Sequence, residues 1–130
     1  MEHIVEIQDL SKDYETGFWK KKKVRALDGL SLRVEPGQIF GFLGGNGAGK
    51  TTLLRLLSTV IRPTRGTATL NGLSIENEAA QVRQSIGFLS TSTALYGRLT
   101  GRELLKYFGG LYGFTGSSLN DRVQSAIAQT

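Results

Sequence analysis

Lys50, Thr51 and Thr52 follow directly on Gly44-Gly45-Asn46-Gly47-Ala48-Gly49, and Gly44 to Thr51 carries the pattern G-x-x-x-x-G-K-[ST]. Each residue type has a job in such a loop. Glycine backbone approaches an anion without a Cβ in the way, and Gly44 permits the turn out of a preceding strand. Successive N–H groups line a concave space, and a helix starting at the loop's end adds the positive end of its dipole. Lys50 is a point charge suited to bridging β- and γ-phosphates, the Thr51 hydroxyl can ligate Mg²⁺, and Thr52 can donate to the α-phosphate. The expected ligand is a nucleoside triphosphate.

The loop needs a strand before it and a helix after it, and the flanks supply both. Ile39–Leu43 is apolar on alternate and intervening positions, as for a strand inside a sheet covered on both faces. From about Gly49 to Ser58 a helix is expected to pack through Leu53, Leu54, Leu56 and Leu57. Upstream, Ile4–Leu10, Val24–Leu27 and Leu30–Val34 read as strands, Ser11–Glu15 as a turn, Thr16–Lys23 as a loop, and Glu35–Gln38 as a tight reversal around Pro36-Gly37. Downstream, Thr67–Leu70 leads into an Asn71-Gly72 hairpin turn, Glu76–Gln84 reads as a helix, and Ser85–Leu89 as a second buried strand. Thr100 and Glu103 have capping-box spacing ahead of a helix with Leu104, Leu105, Phe108, Leu111 and Tyr112 on one face; another helix is expected from Ser118. The fold class is α/β: a P-loop NTPase core with an N-terminal antiparallel β region, expected to be an incomplete domain. Residues 1–93 are assigned to the nucleotide-binding core and 94–130 to a truncated second subdomain.

Composition removes several chemistries. The 130 residues include no cysteine, so disulfides, thiolate metal sites and cysteine nucleophiles are excluded. His3 is the only histidine, expected to be solvated beside the terminus, which leaves no imidazole for a catalytic triad. No apolar run approaches the length of a membrane span and no leader pattern stands at Met1, so the chain is expected to be soluble and not exported. The net charge of +5 is local: without Lys20–Lys23, twelve basic residues face eleven acidic ones. That run, with Phe18-Trp19 beside it, reads either as a solvated loop or as an anion-binding patch for nucleic acid or membrane.

Beyond the loop, Ala26-Leu27-Asp28-Gly29-Leu30-Ser31-Leu32, Glu35-Pro36-Gly37-Gln38-Ile39, Arg62-Pro63-Thr64-Arg65-Gly66 and Leu95-Tyr96-Gly97-Arg98-Leu99-Thr100 occur in an order that resembles the ATP-binding subunit of ABC transporters. The similarity runs from Ile4 to about Gly113, with a look of the sodium- and drug-efflux type. It implies that 94–130 begin the helical subdomain. It also implies ATP and Mg²⁺ as cofactors, Tyr14 as the residue that stacks on adenine, a head-to-tail second ATP-binding subunit, a transmembrane permease as partner, and a place on the cytoplasmic face of the membrane. Nucleic acid is not the expected partner. From the residues alone a tyrosine such as Tyr14 is more often ordinary packing, and Phe18 and Trp19 are rivals for the stacking role.

Two positions depart from the family pattern. Gly45 stands where a proline is usual, which loosens the free loop but removes no donor. Thr91 stands where a glutamine is usual; its hydroxyl could hold a metal-bound water but has a shorter reach. The family's signature segment, Walker B strand, catalytic Glu and switch His do not occur before Thr130. No catalytic residue is therefore assigned, and weak nucleotide binding with negligible hydrolysis is expected of these residues alone. The alternatives are a non-hydrolysing nucleotide-binding or dimerisation module, and a basic anion-binding module using Lys20–Lys23.

Overall fold

The structure is a computed structural model that describes residues 3–17, 22–90 and 97–129. It divides into two compact units, Met1–Phe88 and Leu89–Thr130.

The first unit is built on a four-stranded antiparallel sheet in the order β2-β1-β3-β4. Strand β1 (Val5–Thr16) pairs with β2 (Lys22–Val34) on one side and with β3 (Arg65–Leu70) on the other, and β3 turns back into the short β4 (Leu73–Ser74). The expected Asn-Gly hairpin is present, with Asn71 and Gly72 both at positive φ, as a two-residue turn between twisted strands requires. Glu35–Gln38 forms the expected reversal, with Gly37 at φ 79° and the Gln38 N–H donating to the Glu35 carbonyl at 3.4 Å.

The segments read as separate strands are longer and continuous. Ser11–Glu15 is not a turn but the outer half of β1, and Asp28-Gly29 lies within β2. Irregular register absorbs what looked like interruptions. Asp9 takes φ 50°, its N–H donates to Ser31 Oγ at 2.9 Å, and the buried Ser11 Oγ accepts the Gly29 N–H at 2.9 Å. On the other side of β1, Gly66 sits at φ 78°, where a Cβ would lie 2.1 Å from the Asp9 carbonyl oxygen. Only glycine allows the strands to close around that bulge.

The core lies between the sheet and the two helices of this unit, α1 (Lys50–Leu57) and α2 (Ala79–Ser85). Ile7, Leu10, Leu56 and Val82 are fully buried, each contributing about 1.5–3 kcal/mol. Leu53 and Leu56 form the packing stripe of α1, whereas Leu54, a turn of about 100° from Leu53, is exposed. His3, expected in solvent, is half-buried, with Nδ1 withdrawn from water.

The two segments read as buried strands are not strands. Ile39–Leu43 and Ile86–Leu89 belong to no β-ladder among the described residues, and Leu43 and Leu89 are 99% and 87% exposed. Their composition suits a sheet interior, but a strand exists only through its neighbours, and neither segment pairs with any of β1–β4.

The second unit holds α3 (Gly101–Leu111) and α4 (Gly116–Ala128), which contact each other. The capping box is present: the Glu103 N–H donates to Thr100 Oγ1 at 3.3 Å, and the Thr100 N–H to the Glu103 carboxylate at 2.8 Å. The Thr100 N–H, and after it the Thr100 hydroxyl donating at 2.7 Å, hold the Glu103 carboxyl below its ordinary range. On α3 the apolar face is left half-open, with Leu105, Tyr107, Phe108 and Leu111 all substantially exposed.

Two outcomes follow from these features. Because the folded-state pKa of Glu103 is depressed, its contribution is complete above the ordinary glutamate value and fades as pH falls through the lower, folded value. Amide protection at the start of α3 should therefore fall on acidification, and Glu103→Gln, which keeps the box geometry, should flatten that response. In the first unit, Ile39→Lys with Leu43→Lys should reduce self-association in sedimentation while leaving stability within about 0.5 kcal/mol, as for exposed positions.

Candidate phosphate-binding loop and its wall

Gly44–Lys50 forms a loop closed by its own lysine. The Lys50 ammonium donates to the carbonyl oxygens of Gly44 at 2.5 Å and Gly45 at 2.7 Å, and the Ala48 N–H donates back to Gly45 at 3.3 Å. Gly49 caps α1 at φ 85° with no side-chain cap, and the first intrahelical bond is Leu53 N–H to the Gly49 carbonyl at 2.8 Å. The N–H groups of Lys50, Thr51 and Thr52 thus have no acceptor within the helix. Those of Asn46, Gly47 and Gly49 donate to no acceptor among the described residues either. The loop is a row of open donors beside a single cation.

Across the loop stands β2. Between Lys12↔Leu27 and Asp13↔Arg25 the register skips Ala26, the extra residue of a bulge. Its carbonyl oxygen faces the loop, and a Cβ on Gly49 would come within 2.5 Å of it. Val24, Arg25 and Ala26 then line one wall of an open cleft of about 400 Å³ whose other wall is Asn46–Thr52. That is the volume range of small-ligand sites. Arg25 adds less charge than its position suggests, because it is bonded to Asp13 at 3.0 Å and Asp28 at 3.2 Å. The Asp13 bond chiefly raises the Arg25 pKa, and in return the Arg25 hydrogen bond holds the Asp13 carboxyl below its ordinary range.

Tyr14 lies opposite Val24 in the β1–β2 ladder, and residues directly opposite share a face of the sheet. Its half-buried ring is therefore on the side of the hairpin that borders the cleft, although it is not among the residues lining it. Thr91, Phe18, Trp19, Lys20 and Lys21 lie outside the described residues; Lys22 and Lys23 close the hairpin opposite Thr16 and Glu15.

Of the carboxylates, Asp28 is in β2 and bonded to arginine, and Glu78 accepts the Ser74 N–H at 2.8 Å. Among the described residues no group of three His, Asp or Glu could hold a metal. Side-chain oxygens of Asn46, Thr51 and Thr52 line the cleft, a donor chemistry that fits a hard cation such as Mg²⁺. Two features had no signal in the sequence: the Ala26 carbonyl, which depends on a register skip, and Lys12, whose ammonium lies 5.5 Å from the Tyr14 ring centroid.

The loop glycines differ in what they tolerate. A Cβ on Gly45 meets nothing within 4 Å and its φ is not positive, so Gly45→Ala should stabilise by about 0.4–1 kcal/mol through the unfolded chain. Gly49→Ala must bear a left-handed residue, about 1–2 kcal/mol, in addition to the contact with Ala26. Chemical denaturation of the two variants should move the midpoint in opposite directions.

Comparison with known proteins agrees with this geometry. A family model described as ABC transporter matches residues 27–130. The ABC transporter ATP-binding protein NatA of Bacillus subtilis is 38% identical over 93% of this chain and 48% of its own length. The probable multidrug ABC transporter ATP-binding protein YbhF of Escherichia coli is 32% identical over 94% of this chain and 20% of its own length. The daunorubicin resistance protein DrrA3 of Streptomyces coeruleorubidus is 50% identical over 68% of this chain. The chain thus spans less than half the length of these curated relatives. In fold it matches the ATP-binding cassette MJ0796, solved as a dimer bound to ADP and Pi, with a TM-score of 0.79 over 95% of this chain and 54% of that one, at 23% identity. With the phosphate loop, the antiparallel sheet beside it and the family match over residues 27–130, the chain belongs to the ABC transporter family and carries part of its nucleotide-binding, P-loop ATPase fold.

Proposed function

We propose that this chain binds ATP as part of an ABC transporter ATPase, working with a second ATP-binding subunit arranged head to tail and a transmembrane permease at the cytoplasmic face of a membrane. The observation that carries the binding step is the set of N–H groups of Asn46, Gly47 and Gly49–Thr52 around Lys50 that have no acceptor among the described residues. Phosphate oxygens would take those donors, and the Lys50 ammonium would exchange the Gly44 and Gly45 carbonyls for the β- and γ-phosphates. Thr51 would hold Mg²⁺, which neutralises charge on the same phosphates, and Thr52 would donate to the α-phosphate. Tyr14 is assigned to the adenine and Thr91 to a metal-bound water. Residues 94–130 are assigned to the start of the helical subdomain.

Hydrolysis is a separate matter. In-line attack needs a positioned water and groups that stabilise charge developing on the γ-phosphoryl. The loop provides the cradle, but the described carboxylates near the cleft are Asp13 and Asp28, both committed to Arg25. The unpaired apolar segments Ile39–Leu43 and Ile86–Leu89 support a reading in which further polypeptide completes the site.

Calorimetry with MgATP should therefore detect binding to the 130-residue chain, and Lys50→Ala should weaken it about tenfold or more, the scale of a charged hydrogen bond. Phosphate release by the unmutated chain should not exceed that of Lys50→Ala. Turnover on the order of 1 s⁻¹ would show that the residues here suffice for hydrolysis.

A further inference from the structure

Lys12 stands beside the cleft in a role that the phosphate site does not need. Its ammonium donates to the Arg62 carbonyl at 2.7 Å and at the same time lies 5.5 Å from the centroid of the Tyr14 ring. Lys12 and Tyr14 are two apart in β1, where the register skip falls on β2, so both point to one face of the sheet. The anchor is itself held in place: the Thr64 N–H donates to the Ser11 carbonyl at 2.9 Å, and the Asp13 N–H to Thr64 Oγ1 at 3.0 Å. Thus the segment that follows α1 is stitched across β1 at the residues on either side of Lys12.

From this geometry we infer that Lys12 is a positioning residue for base recognition: pinned to the Arg62 carbonyl, its ammonium covers one face of Tyr14 and presents the other face to the purine. The inference rests on the nucleotide reading above and adds how the base, as distinct from the phosphates, is selected. A half-buried tyrosine near a strand end still has more than one rotamer open to it, and ordering it on binding subtracts from affinity. A cation within about 6 Å of the ring draws on its quadrupole, holds its orientation and closes one stacking surface. The remaining face is the only one an incoming base can use.

The test separates base from phosphate by titrating the 130-residue chain with ATP and with inorganic tripolyphosphate. Lys12→Met should weaken ATP about threefold to tenfold and leave tripolyphosphate unchanged, the latter also showing that the loop is still folded. Lys12→Arg, which retains a cation able to reach both carbonyl and ring, should restore ATP binding. Tyr14→Ala should lose at least as much as Lys12→Met, and the double variant no more than Tyr14→Ala, since the two side chains act as one unit. Equal losses for ATP and tripolyphosphate in Lys12→Met, no loss at all, or full additivity with Tyr14→Ala would each overturn the positioning role while leaving the phosphate site intact. Failure of the unmutated chain to bind tripolyphosphate would instead overturn the nucleotide reading, and this inference with it.

Discussion

The contact between the backbone of Gly49 and the carbonyl of Ala26 is where the two halves of the cleft meet. It joins two irregularities. Gly49 is left-handed because the chain must turn into α1 while its N–H groups face outward, and Ala26 is the unpaired residue of a bulge in β2. Neither would have this position alone: a regular β2 would direct the Ala26 carbonyl into its ladder, and any side chain on Gly49 would hold the loop away from the sheet. Together they set the distance between the donor row and the strand wall. The hairpin that carries Tyr14 and Lys12 then inherits its place from the same contact.

Charge in the cleft is arranged so that little of it is free. Lys50 is satisfied by two carbonyl oxygens of its own loop, and Arg25 by two carboxylates. An anion entering the cleft must therefore compete for Lys50 and for the Ala48 N–H, but not for the N–H groups of Asn46, Gly47 and Gly49–Thr52, which have no acceptor among the described residues. Carbonyl dipoles are weaker partners for an ammonium than phosphate oxygens, so the exchange favours the ligand. A neutral or cationic ligand gains nothing from it. In the proposed reading, selectivity for polyanions would be a property of the loop, whereas selectivity for a base would have to come from the hairpin.

What the sequence disclosed follows from how local each feature is. The loop, the Asn71-Gly72 turn, the Pro36-Gly37 reversal, the Thr100–Glu103 box and the helices after them depend on residues a few positions apart, and all are present. Strand continuity was hidden because Ser11–Glu15 has turn composition and Asp28-Gly29 reads as a break; only with three strands laid side by side do the irregularities at Asp9, Gly29 and Gly66 become bulges within continuous strands. Tyr14 was expected in a turn for the same reason. Ile39–Leu43 fails in the opposite sense: its apolar run is the right composition for a central strand, but composition cannot supply the neighbour with which a strand exchanges hydrogen bonds. Lys12 carried no signal, since a cation two residues from an aromatic acquires meaning only once both lie on one face and a carbonyl from 50 residues away meets the ammonium.

That difference in locality also separates binding from turnover. Every donor of the phosphate cradle comes from seven consecutive residues, Asn46–Thr52, and its wall from one neighbouring strand, so the cradle forms as soon as β2 and α1 pack. Stabilising a transferring phosphoryl group requires charges and a water placed on its far side, and such groups must come from elements anchored elsewhere. Leu43 and Leu89, fully or almost fully exposed at the ends of segments with strand composition, are sites where further strands could gain both apolar burial and backbone hydrogen bonds. An addition of that kind would give Ile39–Leu43 the pairing it lacks, next to the point where the chain enters the loop at Gly44. Covering those apolar residues and placing groups across from the loop would then be one structural event, with Asn46–Thr52 as the part already in place before it.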